Sequence, residues 1–154
     1  EHKAVYISKV WFPDFANYRR DGYDFDARYD EGLAKHTDKV LYDLLDSHAP
    51  IISKELKKLG DYRKGGNKGF DTAIIRLQEQ CYVITSNFAY MTDKNGQPYG
   101  WGVAEYSTPE KFMGAAFTDK VYQREPEESY QLILDHLKKI LPQASMEQIK
   151  KILK

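Results

Sequence analysis

The sequence predicts an α+β fold centred on a winged helix-turn-helix over residues 36–108, a three-helix bundle followed by a β-hairpin wing. Three observations predict it. Three helix-compatible segments follow one another from His36 to Gln80, and the third carries Phe70, Ala73, Ile74 and Leu77 at i, i+3, i+4 and i+7. A strand pattern rich in β-branched and aromatic residues, 81–90, comes directly after and returns over 99–106. Between them Asn95-Gly96, inside 93–98, is the strongest hairpin-turn signal in the chain.

The elements can be justified in order. Residues 4–12 have strand composition and near-alternation, which predicts a strand able to pair with the later hairpin. Pro13 punctuates it, and 15–20 reads as a short helix ended by Asp21-Gly22. Asp24, Asp26, Asp30 and Glu31 lie among aromatics in 23–35, but lack the ligand spacing, glycine and terminal glutamate of a calcium loop, so a solvated helix or loop is expected. Residues 36–49 form the first helix, with Thr37 or Asp38 as cap and Val40, Leu41, Leu44, Leu45 and His48 on one face. After Pro50, Ile51-Ile52 is a bridging strand; Ser53 caps a helix over 54–59, and Gly60 closes it. The glycine-rich turn 61–69 leads into a third helix over 68–80 whose outward positions are Asp71, Thr72, Ile75, Arg76 and Glu79. Thr108-Pro109 starts a helix that continues through Phe117, Pro126 starts a longer one, and Ser145 caps the last. The organisation expected is an N-terminal strand and helix extension (1–35), the winged-helix domain (36–108) and C-terminal amphipathic helices (109–154).

Composition limits the functional classes. The 23 basic residues balance the 23 acidic ones, so any anionic partner must be met by local clustering rather than by a global field. One cysteine, Cys81, fits a reducing compartment and reads as an inert thiol in a strand core. No run of about 18 apolar residues is present, which predicts a cytoplasmic protein with no membrane partner. The dispersed histidines His2, His36, His48 and His136 and the absence of a paired-cysteine motif predict no metal, and no cofactor signature is found. Gly65-Gly66-Asn67-Lys68-Gly69 lacks the ending of a phosphate-binding loop.

A basic cluster is the strongest functional signal. Lys54, Lys57, Lys58, Arg63, Lys64 and Lys68 outnumber Glu55 and Asp61 where a helix-turn-helix meets the phosphate backbone. On the third helix Arg76 is the candidate for guanine and Thr72 for a thymine methyl or a phosphate; Gln78 and Gln80 are possible adenine readers, with Asp71 and Glu79 opposing. The wing tip offers Lys94 beside Asp93. Tyr90, Tyr99 and Trp101 form either an exposed aromatic surface or, more simply, cross-strand packing.

The runs 68–78 (Lys-Gly-Phe-Asp-Thr-Ala-Ile-Ile-Arg-Leu-Gln) and 99–110 (Tyr-Gly-Trp-Gly-Val-Ala-Glu-Tyr-Ser-Thr-Pro-Glu) carry a resemblance over roughly 6–117. The chain resembles a bacterial family of winged-helix proteins related to the AlkZ DNA glycosylases. The resemblance implies a DNA-associated module, since in that superfamily tandem winged helices cradle duplex DNA. Those glycosylases use a short glutamine-based motif with an apolar centre, placed in a strand. The nearest string here, Gln78-Glu79-Gln80, has a charged centre and falls at a helix end, so no catalytic residue carries over. The leading expectation is a non-catalytic protein that binds duplex DNA through the basic turn and third helix. The alternatives are a protein-interaction module, with a homo-oligomer or another protein as partner, and a glycosylase-like enzyme.

Overall fold

The computed structural model describes residues 5–153. The chain divides into two compact units, Tyr23–Gly114 and the pair of segments Glu1–Gly22 and Ala115–Lys154.

In the central unit, α2 (Phe25–Asp30) follows Asp24, whose carboxylate accepts the Ala27 N–H at 2.8 Å. The short acidic run is thus a capped helix, with Phe25 turned inward against Tyr42 and Tyr82 at ring separations of 4.2 and 4.9 Å. Next come α3 (His36–His48), β1 (Ile51–Ile52), α4 (Ser53–Leu59) and α5 (Phe70–Glu79). Leu41 and Leu45 of α3, Leu56 of α4 and all four stripe residues of α5 are buried in one core with Tyr82 and Val83. Each such leucine removes enough apolar surface from water to stabilise the fold by about 1.5–3 kcal/mol. The inner face of α3 is rotated from the expected one: Val40 and His48 are exposed, and Asp38 is buried in line with Leu41 and Leu45. Asp38 is therefore no cap. The cap position falls on Lys35, and Ser53 is the first helical residue of α4 rather than its cap.

The hairpin consists of β2 (Ile84–Thr92) and β3 (Pro98–Ser107). With β1 they make an antiparallel sheet in the order β1-β3-β2, where Ile51 faces Tyr106 and Ile52 faces Glu105. The turn lies where Asn95-Gly96 places it: the Asp93 carboxylate accepts the N–H groups of Asn95 and Gln97 at 2.8 and 2.9 Å. Between the pairs Ala89–Val103 and Met91–Tyr99 the register shifts, so Gly100-Trp101-Gly102 bulges from β3. Gly100 has φ +74°, a conformation L side chains rarely adopt. A short α6 (Pro109–Met113) completes the unit; the Thr108 hydroxyl accepts the Lys111 N–H at 3.4 Å and is itself 3.2 Å from Asp46.

Several expectations are corrected. Residues 5–11 form no strand: Ser8 O accepts the N–H groups of Trp11 and Phe12 at 3.0 and 2.9 Å, a local turn that feeds α1 (Phe12–Arg20) directly. Strand composition supplies no ladder partner, and Pro13 sits in the first helical turn, where it lacks no needed N–H. Ala4 of that expected strand lies outside the described residues. Gly60 does close α4, as expected, with an ordinary negative φ, and the left-handed residue is Asp61 at φ +54°. Cys81 is buried, but in the turn after α5 with φ +61°, not in a strand. The helix expected through Phe117 breaks at Gly114, giving α6 and a separate α7 (Ala115–Thr118).

In the terminal unit, α1 packs with α8 (Pro126–Ile140), and α7 and α9 (Met146–Ile152) join them. Trp11 stacks on His136 at 4.2 Å, and Tyr18 meets Tyr130 at 5.0 Å. A polar seam runs beside them. The Asn17 amide donates to Ser129 Oγ at 3.0 Å and to Arg124 O at 2.8 Å, and Ser129 donates to Asp14 at 2.9 Å. Arg20 is buried, donating to the Tyr122 hydroxyl at 2.8 Å with its guanidinium over the Phe117 ring. Ser145 caps α9, as the sequence predicts, and the Gln148 side chain caps reciprocally.

Candidate nucleic-acid interface

Helix α4 turns Leu56 into the core, which leaves Lys54 and Lys58 in solvent and Lys57 at the boundary. The Lys57 ammonium lies 2.9 Å from Asp71 and 4.7 Å from the centre of the Phe70 ring. It thus ties α4 to the start of α5 and offsets the charge of Asp71.

The loop between those helices is closed on itself. Asn67 donates through its side chain to Gly60 O at 2.9 Å and through its backbone to Asp61 O at 2.8 Å, and Gly66 N–H reaches Arg63 O at 2.9 Å. Arg63 pairs with Asp61 at 2.5 Å, and Tyr62 packs edge-on against Phe70 at 5.2 Å. Burial holds the Tyr62 phenol above its ordinary pKa, helped by the Asp38 charge. Gly65 and Gly69 take φ +92° and +85°. These contacts leave Lys64 and Lys68 projecting into solvent from a shaped loop. Among the described residues, Lys54, Lys58, Lys64, Lys68 and Lys94 take part in no ion pair.

Helix α5 does not present Arg76 as the sequence suggests. Its Nε and Nη2 reach the two Asp38 oxygens at 2.7 and 2.5 Å, across from α3. The Arg76 side chain is 27% exposed and that of Asp38 only 3%. Hydrogen bonding to Asp38 raises the guanidinium pKa further, so this cation is permanently charged and held. The exposed residues of the helix are Asp71, Thr72, Ile75 and Glu79. Gln78 donates to Thr85 Oγ1 at 3.1 Å, and Gln80 ends the helix. The sequence reading missed Asp38 as a partner. The available signal was its i, i+3, i+7 alignment with Leu41 and Leu45, which places a carboxylate on an inward face.

The hairpin carries Lys94 at its tip and exposed rings along its length. Trp101 is 94% exposed, Tyr90 60%, Tyr99 56% and Phe88 51%, so cross-strand packing does not absorb them. Among the described residues no group of three or more His, Cys, Asp or Glu could hold a metal ion, and no helix is long and apolar enough to cross a membrane. Neither the comparison with curated proteins nor that with solved structures gives a match. A family model described as AlkZ related matches residues 1–154, the whole chain, and the protein therefore belongs to the AlkZ-related family.

Proposed function

We propose that this protein is a winged-helix DNA-binding module in which α3, α4 and α5 are the helical bundle, β2–β3 is the wing, and the α4–α5 loop grips the phosphate backbone of duplex DNA. The supporting observation is the set of solvent-facing cations Lys54, Lys58, Lys64 and Lys68 on α4 and a loop whose backbone is internally hydrogen-bonded. A pre-shaped loop loses little entropy on meeting a ligand, and lysines without a protein partner are free to neutralise phosphates. Family membership supports a DNA-related role. Arg76 holds α5 to α3 in this reading, and Thr72 with Lys94 makes peripheral contacts. With no directed guanine reader, binding depends on backbone charge more than on sequence. Catalysis is no part of the proposal, because Gln78 and Gln80 lie at a helix end and Gln78 is engaged by Thr85.

Fluorescence anisotropy with labelled duplexes of unrelated sequence tests this. The proposal expects similar affinity for each duplex and a loss on replacing Lys58, Lys64 and Lys68 by alanine; the absence of binding at low salt would overturn it.

A further inference from the structure

The exposed face of α5 carries the opposite charge from the loop that leads into it. Asp71, Thr72, Ile75 and Glu79 are the exposed residues of the helix. At about 100° per residue they fall within an arc of roughly 100°, so they share one face. The two carboxylates mark its ends, eight positions apart in the chain and about 12 Å apart along the axis. Arg76 is the one cation of the helix, and it is turned to Asp38 through hydrogen bonds of 2.7 and 2.5 Å. Hydrogen bonding to Asp38 raises its pKa, and the Glu79 charge adds to the effect, so this guanidinium already answers protein carboxylates. Lys57 reaches Asp71 from α4 at 2.9 Å, yet the Asp71 side chain stays 79% exposed. An ion pair so open to water offsets its charge only in part.

A helix that reads DNA lies in the major groove, about 12 Å wide and bordered by phosphates on both sides. With this face inward, both carboxylates would come within about one Debye length, about 8 Å at physiological ionic strength, of those phosphates. Acceptance from a cytosine amino group would repay a carboxylate only at a matching base. From this arrangement we infer that Asp71 and Glu79 are specificity-determining residues that act by exclusion. They keep the exposed face of α5 out of the major groove, so that the duplex is met from the side by the α4–α5 loop and its bases go unread. The inference rests on the duplex binding proposed above and adds the manner of approach. Unfavourable charge set against a competing mode of binding is a general route to specificity. The change of sign along the chain is abrupt: Lys64 and Lys68 take part in no ion pair among the described residues, and Asp71 follows Lys68 by three positions.

Fluorescence anisotropy on the full chain, with A·T-only and G·C-rich duplexes, tests it. The variants are Glu79→Gln and Asp71→Asn with Glu79→Gln. The control is Asp30→Asn with Glu31→Gln, which removes the same charge from exposed positions at the end of α2. At low salt Glu79→Gln is expected to tighten binding to both duplexes about three-fold, and the α5 double variant more, with the control changed less than about two-fold. Asp71→Asn also releases Lys57, which steepens the slope of log K against log salt by about 0.9. Dimethyl sulfate, which methylates guanine N7 in the major groove, gives a second readout. The parent complex is expected to leave N7 reactive throughout the bound duplex. Protection of N7 by the parent protein would overturn the inference, as would a gain no larger than the control's. Weaker binding of Glu79→Gln to the G·C-rich duplex would also overturn it and make Glu79 a reader of cytosine. A parent protein that binds neither duplex would overturn the proposed function itself and this inference with it, a failure distinct from the other three.

Discussion

Arg76 and Asp38 form a two-pronged pair, 2.5 and 2.7 Å long, that bridges α5 and α3 across 38 residues of sequence. The pair is asymmetric. Asp38 is nearly enclosed, whereas the guanidinium keeps some water contact, so losing the cation is worse than losing the anion. Arg76→Met is expected to destabilise the fold by about 3–5 kcal/mol, because it strands a buried carboxylate. Asp38→Asn keeps a hydrogen-bond acceptor and is expected to cost about 1–3 kcal/mol. Urea unfolding of both single variants and the double variant measures this order, and equal effects would contradict it.

The alkaline limb of stability reports on two tyrosines. Burial raises the Tyr106 phenol above its ordinary pKa, with a contribution from the Asp71 charge, and Tyr62 is raised by burial and then Asp38. Below about pH 10 both states keep these protons, and the stabilisation of the neutral phenols is fully present. As pH rises through that value and on through the higher folded-state pKa, the unfolded chain gives up its protons first, and stability falls. Replacing Tyr62 and Tyr106 by phenylalanine should flatten this decline while leaving the acid limb alone. Denaturant midpoints near neutrality and above pH 10 check it.

Backbone geometry at the bulge gives a third outcome. Gly100→Ala places a Cβ on a residue at φ +74° in open space, so the expected cost of about 1–2 kcal/mol is conformational alone. Gly102→Ala adds a steric conflict with Phe88 and Tyr90 instead. Thermal melts of the two variants separate the effects, since pairing each with Tyr90→Ala should relieve part of the second, the contact with the Phe88 Cβ remaining, and none of the first.

In the terminal unit, Ser129→Ala removes an acceptor for the buried Asn17 amide and a donor to Asp14 at once. A loss of about 1–3 kcal/mol is expected, and hydrogen exchange should report it in α1 and α8. Unchanged protection there would show that the seam contributes nothing.

What the sequence made legible follows physical range. Periodicity placed the α5 stripe, Asn95-Gly96 placed the turn, and Ser145 marked its helix start, because each signal lies within a few residues of its effect. The Asp38–Arg76 pair was not legible, since it depends on the packing of two helices. The strand expected over 4–12 failed for a related reason: composition permits a strand, but only a partner makes one, and the Ser8 turn intervened. In the basic cluster the residue types were visible. What remained hidden was their sorting into Lys57, tied to Asp71, Arg63, tied to Asp61, and the solvent-facing lysines.

The dependence of duplex affinity on salt measures the central proposal most directly. Each phosphate neutralised contributes about −0.9 to the slope of log K against log salt. Alanine at Lys58, Lys64 and Lys68 together should make that slope shallower by about 2–3 while the melting temperature stays near that of the parent protein. A slope identical in parent and variant would contradict the assignment of the α4–α5 loop as the phosphate grip.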